Sequence, residues 1–102
     1  MRSFRVDQYV ADVLLRDLVG HDHSPAAFVV YLHLWRWTVG ERKKSVRLSH
    51  RQISVETGLS KSAVQQALRI LHRRSLVRSR RERQTATPEH RIERPWARAR
   101  NS

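Results

Sequence analysis

Residues 49 to 77 constrain the fold more than any other stretch, because they contain the start and stop signals of two short helices. The Ser49 hydroxyl can accept the amide of Gln52 while the Gln52 side chain returns to the Ser49 amide, a reciprocal capping arrangement that begins a helix. Gly58 lacks a Cβ, so it can take the left-handed conformation that ends a helix. Ser60 is the next N-cap. The segment therefore predicts two helices joined by a tight turn.

The second of these helices, residues 61–73, is predicted to have one apolar and one polar side. Val64, Ala67, Leu68 and Leu71 recur at three- and four-residue spacing, so they form one inward-facing stripe. The outer surface carries side-chain types that pair with base edges or phosphates. These side chains are Lys61, Ser62, Gln65, Gln66, Arg69 and Arg73. By spacing alone, any helical hairpin fits equally well, and the charge of the neighbouring chain must decide.

Charge is distributed very unevenly along the chain. The formal net charge is +12, from 21 basic and nine acidic residues. Residues 1–41 hold four basic and five acidic residues, a net charge of −1, whereas residues 42–102 hold 17 and four, a net charge of +13. Such asymmetry is the electrostatic footprint of a nucleic-acid-binding surface. Because the basic part surrounds the polar helix, the charge favours nucleic-acid binding over a solvated hairpin.

Upstream elements supply the rest of the core. Ser24 and Pro25 form a helix start, and we expect this helix to run to about Val39 and to end at Gly40. It is apolar over most of its circumference, as expected of a helix wedged between other elements. Residues 5–19 show near-helical spacing of apolar side chains and predict a helix, with a strand for the first few residues as the alternative. Residues 46–48 alternate as a very short strand.

The residues after the second helix of the pair predict a basic hairpin. Val77 and Ser79, and later Ile92, Arg94 and Trp96, fall on alternate positions. The intervening loop around residues 84–89 is polar and contains a proline, as turns and open loops do. The fold class expected is thus mainly α with a small β-hairpin. The domain division expected is an N-terminal helical or strand extension (1–23), one domain (24–96) and a basic disordered tail (97–102).

This order of elements, with GLSKSAVQQALRILHRRSLV at its centre, resembles a winged helix-turn-helix domain of the MarR and GntR type. It is similar as well to the amino-terminal domains of phage and plasmid replication initiators. The resemblance covers about residues 24–96. One residue departs from it: the position before the Leu-Val strand start is commonly glycine in these families, and here it is Ser75.

The resemblance implies which residues touch nucleic acid. The positions that match the groove-facing side are Ser60, Lys61, Ser62, Gln65, Gln66 and Arg69. The positions that match the wing, a hairpin expected to contact the DNA backbone or minor groove, are Arg78, Arg80, Arg81, Arg83 and Arg91. Arg73 joins the first set by its place on the outer surface of the helix.

The function expected is sequence-specific binding of double-stranded DNA by a transcriptional regulator, with helix 61–73 in the major groove. Two alternatives stay open: a plasmid or phage replication-initiation or DNA-maintenance protein, and a winged-helix module that binds RNA or protein. A homodimer is also open, and residues 5–19 or the tail after Trp96 are its candidate contacts.

Other classes find little support in the sequence. His21 and His23 are separated by one residue and have no clustered partners, so we expect no metal site, and the remaining four histidines are expected on the surface or lining the groove. No nucleophile with a positioned base appears, so no enzyme activity and no cofactor are expected. The chain has no cysteine, and no apolar run approaches the roughly 20 residues of a membrane span. A cytoplasmic, nucleoid-associated protein is expected.

Overall fold

The computed structural model describes residues 2–97, which form a mainly helical protein with a small three-stranded antiparallel sheet. Residues 8–21 form a helical segment that contains two π-helical turns, Val10–Leu14 and Asp17–His21. The elements that follow are α1 (Pro25–Trp37), a 3-10 turn (Val39–Glu41), β1 (Val46–Arg47), α2 (His50–Thr57), α3 (Lys61–Arg73), β2 (Val77–Arg80) and β3 (Glu89–Ile92). Of the expected tail, residues 98–102 lie outside the described residues.

The helix starts predicted from the sequence are confirmed. Ser24 Oγ accepts the Ala27 amide at 3.1 Å, with proline in the first turn of α1. At the start of α2, the Gln52 amide donates to Ser49 Oγ at 3.0 Å while the Ser49 amide donates to Gln52 Oε1 at 2.8 Å. Ser60 Oγ accepts the Ala63 amide at 3.1 Å and so caps α3. These bonds satisfy backbone donors that the first turn of a helix leaves free.

Glycine 58 ends α2 as predicted, with φ at +83°. Ser75, just after the end of α3, also has a left-handed backbone conformation, with φ at +58°. There the Leu76 amide donates to the Leu71 carbonyl and the Ser75 amide to the His72 carbonyl, the pair of bonds that defines a Schellman motif. Leu76 and Leu71, the positions of the hydrophobic pair of that motif, both belong to the buried core. A serine therefore holds a position that glycine fills at least cost.

The end of α1 differs from the prediction. The helix stops at Trp37, and Gly40 lies inside the 3-10 turn without a positive φ, whereas Arg42 is left-handed at φ +58°. A Cβ at Gly40 would lie 3.3 Å from the side chain of Phe4, so the glycine makes room for the N-terminal segment. The reason for a glycine at this position is a contact between distant parts of the chain, which the local spacing of residues could not show.

The sheet has the strand order β1-β3-β2, so β3 pairs with both neighbours. Val77 pairs with Ile92 in the β2–β3 hairpin, which confirms the hairpin, and Val46 pairs with His90 on the other side. The expected continuation of the strand through Arg94 and Trp96 is wrong, because residues 95–97 are helical. Trp96 instead stacks on Tyr9, with ring centroids 4.5 Å apart.

The N-terminal segment is helical from residue 8, so the helix prediction is confirmed over most of residues 5–19 and the strand alternative is wrong. Its apolar residues Val10, Leu14 and Leu18 belong to the same buried core as the side chains of α1 and α3. A hydrogen bond fixes the residues before this helical segment, because Trp35 Nε1 donates to the Arg5 carbonyl at 2.8 Å. Trp35 itself is fully buried in α1.

Candidate nucleic-acid interface

Helix α3 presents the polar face that the sequence predicted. Its inward residues Val64, Ala67, Leu68 and Leu71 are buried. Outward-facing Lys61, Ser62, Gln66, Arg69 and Arg73 are exposed, and Gln65 is half-buried. No residue of α3 is acidic, so this face combines hydroxyl, amide and cationic groups without a carboxylate of its own.

The six outward residues of α3 do not all face the same way. Ser62, Arg69 and Arg73 are spaced by seven and four positions, so they line up along the middle of the exposed face. Gln66 lies to one side and lines a shallow cleft with residues 22–26, which span the turn before α1 and its first two residues. Lys61 lies on the opposite side, toward the hairpin.

Ser60 has a structural role that limits its availability. Its Oγ accepts the Ala63 amide and lies 3.2 Å from Ser62 Oγ. The oxygen is therefore already used in capping α3, and the two hydroxyls form a linked pair at the helix start. Of these two, Ser62 is the one whose oxygen has no capping bond among the described residues.

A cationic cleft lies between the starts of α2 and α3 and the hairpin loop, residues 81–88. We call it the proximal cleft. It has a volume of about 220 Å³. It is lined by Ser49, His50, Arg51, Lys61, Arg81, Thr85, Ala86, Thr87 and Pro88. The cleft brings together Lys61 and Arg81, two residues that the sequence assigned to different contacts.

Contacts within the proximal cleft fix its shape and its charge. Arg81 Nη1 donates to the Ala86 carbonyl at 3.1 Å, which ties the two sides of the hairpin loop together. Burial lowers the pKa of His50, and the charges of Arg81 and Lys61 lower it further. Arg51 was missed by sequence reasoning, and His50 was expected only on the surface or lining the groove, although their place directly after the Ser49 cap was a usable signal.

The arginines of the hairpin divide into two groups. Arg78, Arg80 and Arg91 lie on the sheet face opposite to Ser79 and His90, because successive strand residues point to opposite faces. Ser79 contacts His72 of α3, so the three arginines are on the face turned away from α3. Of the hairpin arginines, only Arg81 lines the proximal cleft, and Arg83 is exposed in the same loop.

We call the sheet face turned away from α3 the outer sheet face. Acidic side chains near it moderate its positive charge. Arg78 sits directly opposite Arg91 in the strand register. Its Nε lies 3.4 Å from a Glu93 carboxylate oxygen, which offsets part of the repulsion between the two arginines. Arg80 pairs in register with Glu89.

A buried histidine of β3, His90, links the residue after β1 to β2 and, through Ser79, to α3. His90 is only 1% exposed, so its expected place on the surface or in a groove is wrong. Its Nε2 lies 2.9 Å from the Leu48 carbonyl and its Nδ1 lies 2.6 Å from Ser79 Oγ, which is in turn 2.8 Å from His72 Nε2. Since a carbonyl only accepts, His90 Nε2 carries the proton and Ser79 donates to Nδ1. Burial lowers the pKa of both histidines, in keeping with neutral rings.

The other end of α3 is held by an ion pair. Arg74, directly after the helix, donates to both carboxylate oxygens of Asp22, at 2.7 and 3.1 Å. These bonds are the largest cause of the lowered pKa of Asp22. His21 Nδ1 lies 2.9 Å from the same carboxylate. Over residues 2–97, no group of three or more histidine, cysteine or acidic side chains is arranged to hold a metal ion.

No helix within residues 2–97 has the length and apolar character needed to cross a membrane. No protein-family model, curated protein or solved structure matches the chain. Any assignment of function therefore rests on the residues and their geometry.

Proposed function

We propose that the protein binds double-stranded DNA through a winged helix-turn-helix domain and acts as a sequence-specific transcriptional regulator. The observation that carries the proposal is the continuous polar surface formed by the exposed face of α3 and the proximal cleft. The major groove, about 12 Å wide, admits an α-helix. Helix α3 has the form needed to enter the major groove. It is capped by serine, is supported by a buried core, and bears amide and cationic groups on one face.

The side chains on α3 suit direct readout of base pairs. Glutamine pairs with adenine edges and arginine with guanine, so Gln65 and Gln66 would read adenine and Arg69 guanine or phosphate. Ser62 and the amino terminus of α3 would face a backbone phosphate. Arg81 and Arg83, in the hairpin loop, would act as the wing and contact the backbone or the minor groove.

The distribution of aromatic side chains favours duplex DNA over single-stranded RNA. Readers of unpaired RNA stack bases on exposed aromatic rings. Here no phenylalanine, tyrosine or tryptophan lies on α3 or in the proximal cleft. Trp96 is stacked on Tyr9, and Trp37 has the Arg36 guanidinium 4.3 Å from its ring centre.

Selection of bound duplexes from a random pool tests the proposal. A regulator of this kind enriches one motif, and a homodimer enriches an inverted repeat whose half-sites lie about 34–36 Å apart. We then expect Gln65→Ala with Gln66→Ala to lower discrimination against mismatched sites by about 1–3 kcal/mol for each lost bidentate contact. Affinity for unrelated duplexes should change little.

Gln8→Ala is the matched control, because Gln8 is an exposed glutamine on the N-terminal segment. It should alter neither specific nor unspecific binding. If the α3 double variant weakens both kinds of binding equally, α3 is not the reading helix. If single-stranded RNA competes better than duplex DNA at physiological salt, the RNA-binding alternative replaces the proposal.

A further inference from the structure

A second cationic cleft lies away from α3, and we call it the distal cleft. It has a volume of about 350 Å³, larger than the proximal cleft. Five of the residues that line it are cationic, and none is acidic or aromatic. The cations are Arg42, Lys43, Lys44, Arg91 and Arg94.

The distal cleft exists because β1 is short. β1 pairs with β3 only at His90 and Glu89, so the chain before Val46 leaves the sheet and opens a trough beside the end of β3. One wall is the turn after α1, and the other is the chain from Arg91 to Arg94. Each wall carries exposed cations, which is the arrangement expected around a polyanion that lies between them.

The turn that forms one wall is firmly held. The Thr38 carbonyl accepts the amides of Glu41 and Lys43, at 3.0 and 2.8 Å, and the buried Thr38 hydroxyl donates to the Leu34 carbonyl at 2.7 Å. Arg42 is left-handed, a conformation that costs a non-glycine residue on the order of 1 kcal/mol. Backbone strain of this kind tends to occur at functional sites. Three successive cations are thus presented from a fixed base.

The distal cleft and the proximal cleft lie at opposite ends of β3. α1 packs against the inward side of α3, so the turn at the end of α1 is separated from the exposed α3 face by the core. Strand β3 begins next to Pro88, which lines the proximal cleft, and runs to Ile92, which lines the distal one. Arg91 also lies on the sheet face turned away from α3. The distal cleft therefore opens away from the exposed face of α3.

We infer that the distal cleft binds the phosphate backbone of a second DNA duplex, so that one copy of the protein bridges two duplexes. The inference rests on the proposed function, since the first duplex is the one held by α3. Cationic walls without aromatic rings suit a duplex backbone better than unpaired bases, which need stacking surfaces.

A two-duplex capture assay tests this inference. A duplex carrying the selected site is immobilised and saturated with protein, and retention of a labelled duplex of unrelated sequence is measured. We expect the wild-type protein to retain the second duplex. Arg42→Gln with Lys43→Gln and Lys44→Gln should lower that retention about tenfold and reduce its log–log salt slope by about 2.7, because each phosphate contact contributes about 0.9. Affinity for one site-bearing duplex should stay within about twofold.

Arg5→Gln with Arg16→Gln is the charge control, since both arginines are exposed on the N-terminal segment, outside both clefts. It should leave capture unchanged, and thermal unfolding shows whether each variant is folded. Capture that survives loss of the distal cations, as bridging by a dimer would, overturns the inference. Binding of one duplex without capture of a second one also overturns the inference. A single bent duplex that contacts both clefts would give this result. If the wild type binds no duplex at all, the proposed function fails first.

Discussion

Replacing Ser75 with glycine should stabilise the protein. Ser75 is the left-handed residue of the Schellman motif that ends α3, at φ +58°, and it is exposed. Its amide already donates to the His72 carbonyl, so glycine can keep every backbone bond of the turn. The substitution therefore changes the conformational cost of one residue and little else.

The expected gain follows from two opposing terms. A left-handed conformation costs a non-glycine residue roughly 1–2 kcal/mol. A glycine in place of the serine costs about 0.4–1 kcal/mol more conformational entropy on folding, because it gives the unfolded chain more freedom. The free energy of unfolding should rise by about 0.5–1 kcal/mol. With an unfolding entropy of about 2.1 cal/mol/K per residue, the 102-residue chain should melt roughly 2–5 °C higher.

Urea unfolding followed by circular dichroism measures this gain. Ser75→Ala is the matched control, because alanine loses the hydroxyl but keeps the left-handed cost, and it should stay within about 0.5 kcal/mol of the wild type. The reasoning is refuted if glycine is no more stabilising than alanine. A gain that appears equally in both variants would mean that the serine hydroxyl, not the backbone, is unfavourable.

Three further outcomes are expected. Gly58→Ala should lower the free energy of unfolding by about 1 kcal/mol, since φ is +83° although no atom lies within 4 Å of an added Cβ; an unchanged urea midpoint would contradict this. Ser49→Ala should cost about 1 kcal/mol by breaking the reciprocal cap of α2, and Gln52→Ala should cost less because it keeps the serine bond. Lowering the pH below about 6.5 should destabilise the protein, because burial lowers the pKa of His90 in the folded state and the unfolded chain then binds more protons. Urea unfolding at about pH 7.5 and about pH 5.5 measures this loss, which should shrink in His90→Gln, and a stability that rises on acidification would refute it.

Features fixed by neighbouring residues could be predicted from the sequence. The caps at Ser24, Ser49 and Ser60 and the turn at Gly58 depend on bonds within three residues or on one backbone angle. The inward stripe of α3 depends only on helical periodicity, so its outer residues could be named in advance. Ser75 was identified as a departure, and its left-handed angle accounts for the glycine that the resemblance led us to expect there.

Features fixed by distant residues could not be predicted. A Cβ at Gly40 would crowd the side chain of Phe4, and the burial of His90 depends on Leu48 and Ser79, which reach it through strand pairing. The distal cleft was missed for the same reason. Its two cationic walls are about 50 positions apart in sequence and meet only because β1 pairs briefly with β3.

The contacts of the N-terminal segment set an order for folding. Trp35 holds Arg5 from 30 positions along the chain, and Trp96 Nε1 donates to Asp7 from 89 positions along it. A contact with such a large sequence separation closes a long loop, which costs more entropy than the local contacts of the caps and the hairpin. Contacts between the two ends of the described chain should therefore form after the local ones. In the finished protein, amides of residues 2–9 should exchange with solvent hydrogen sooner than those of α1 and α3.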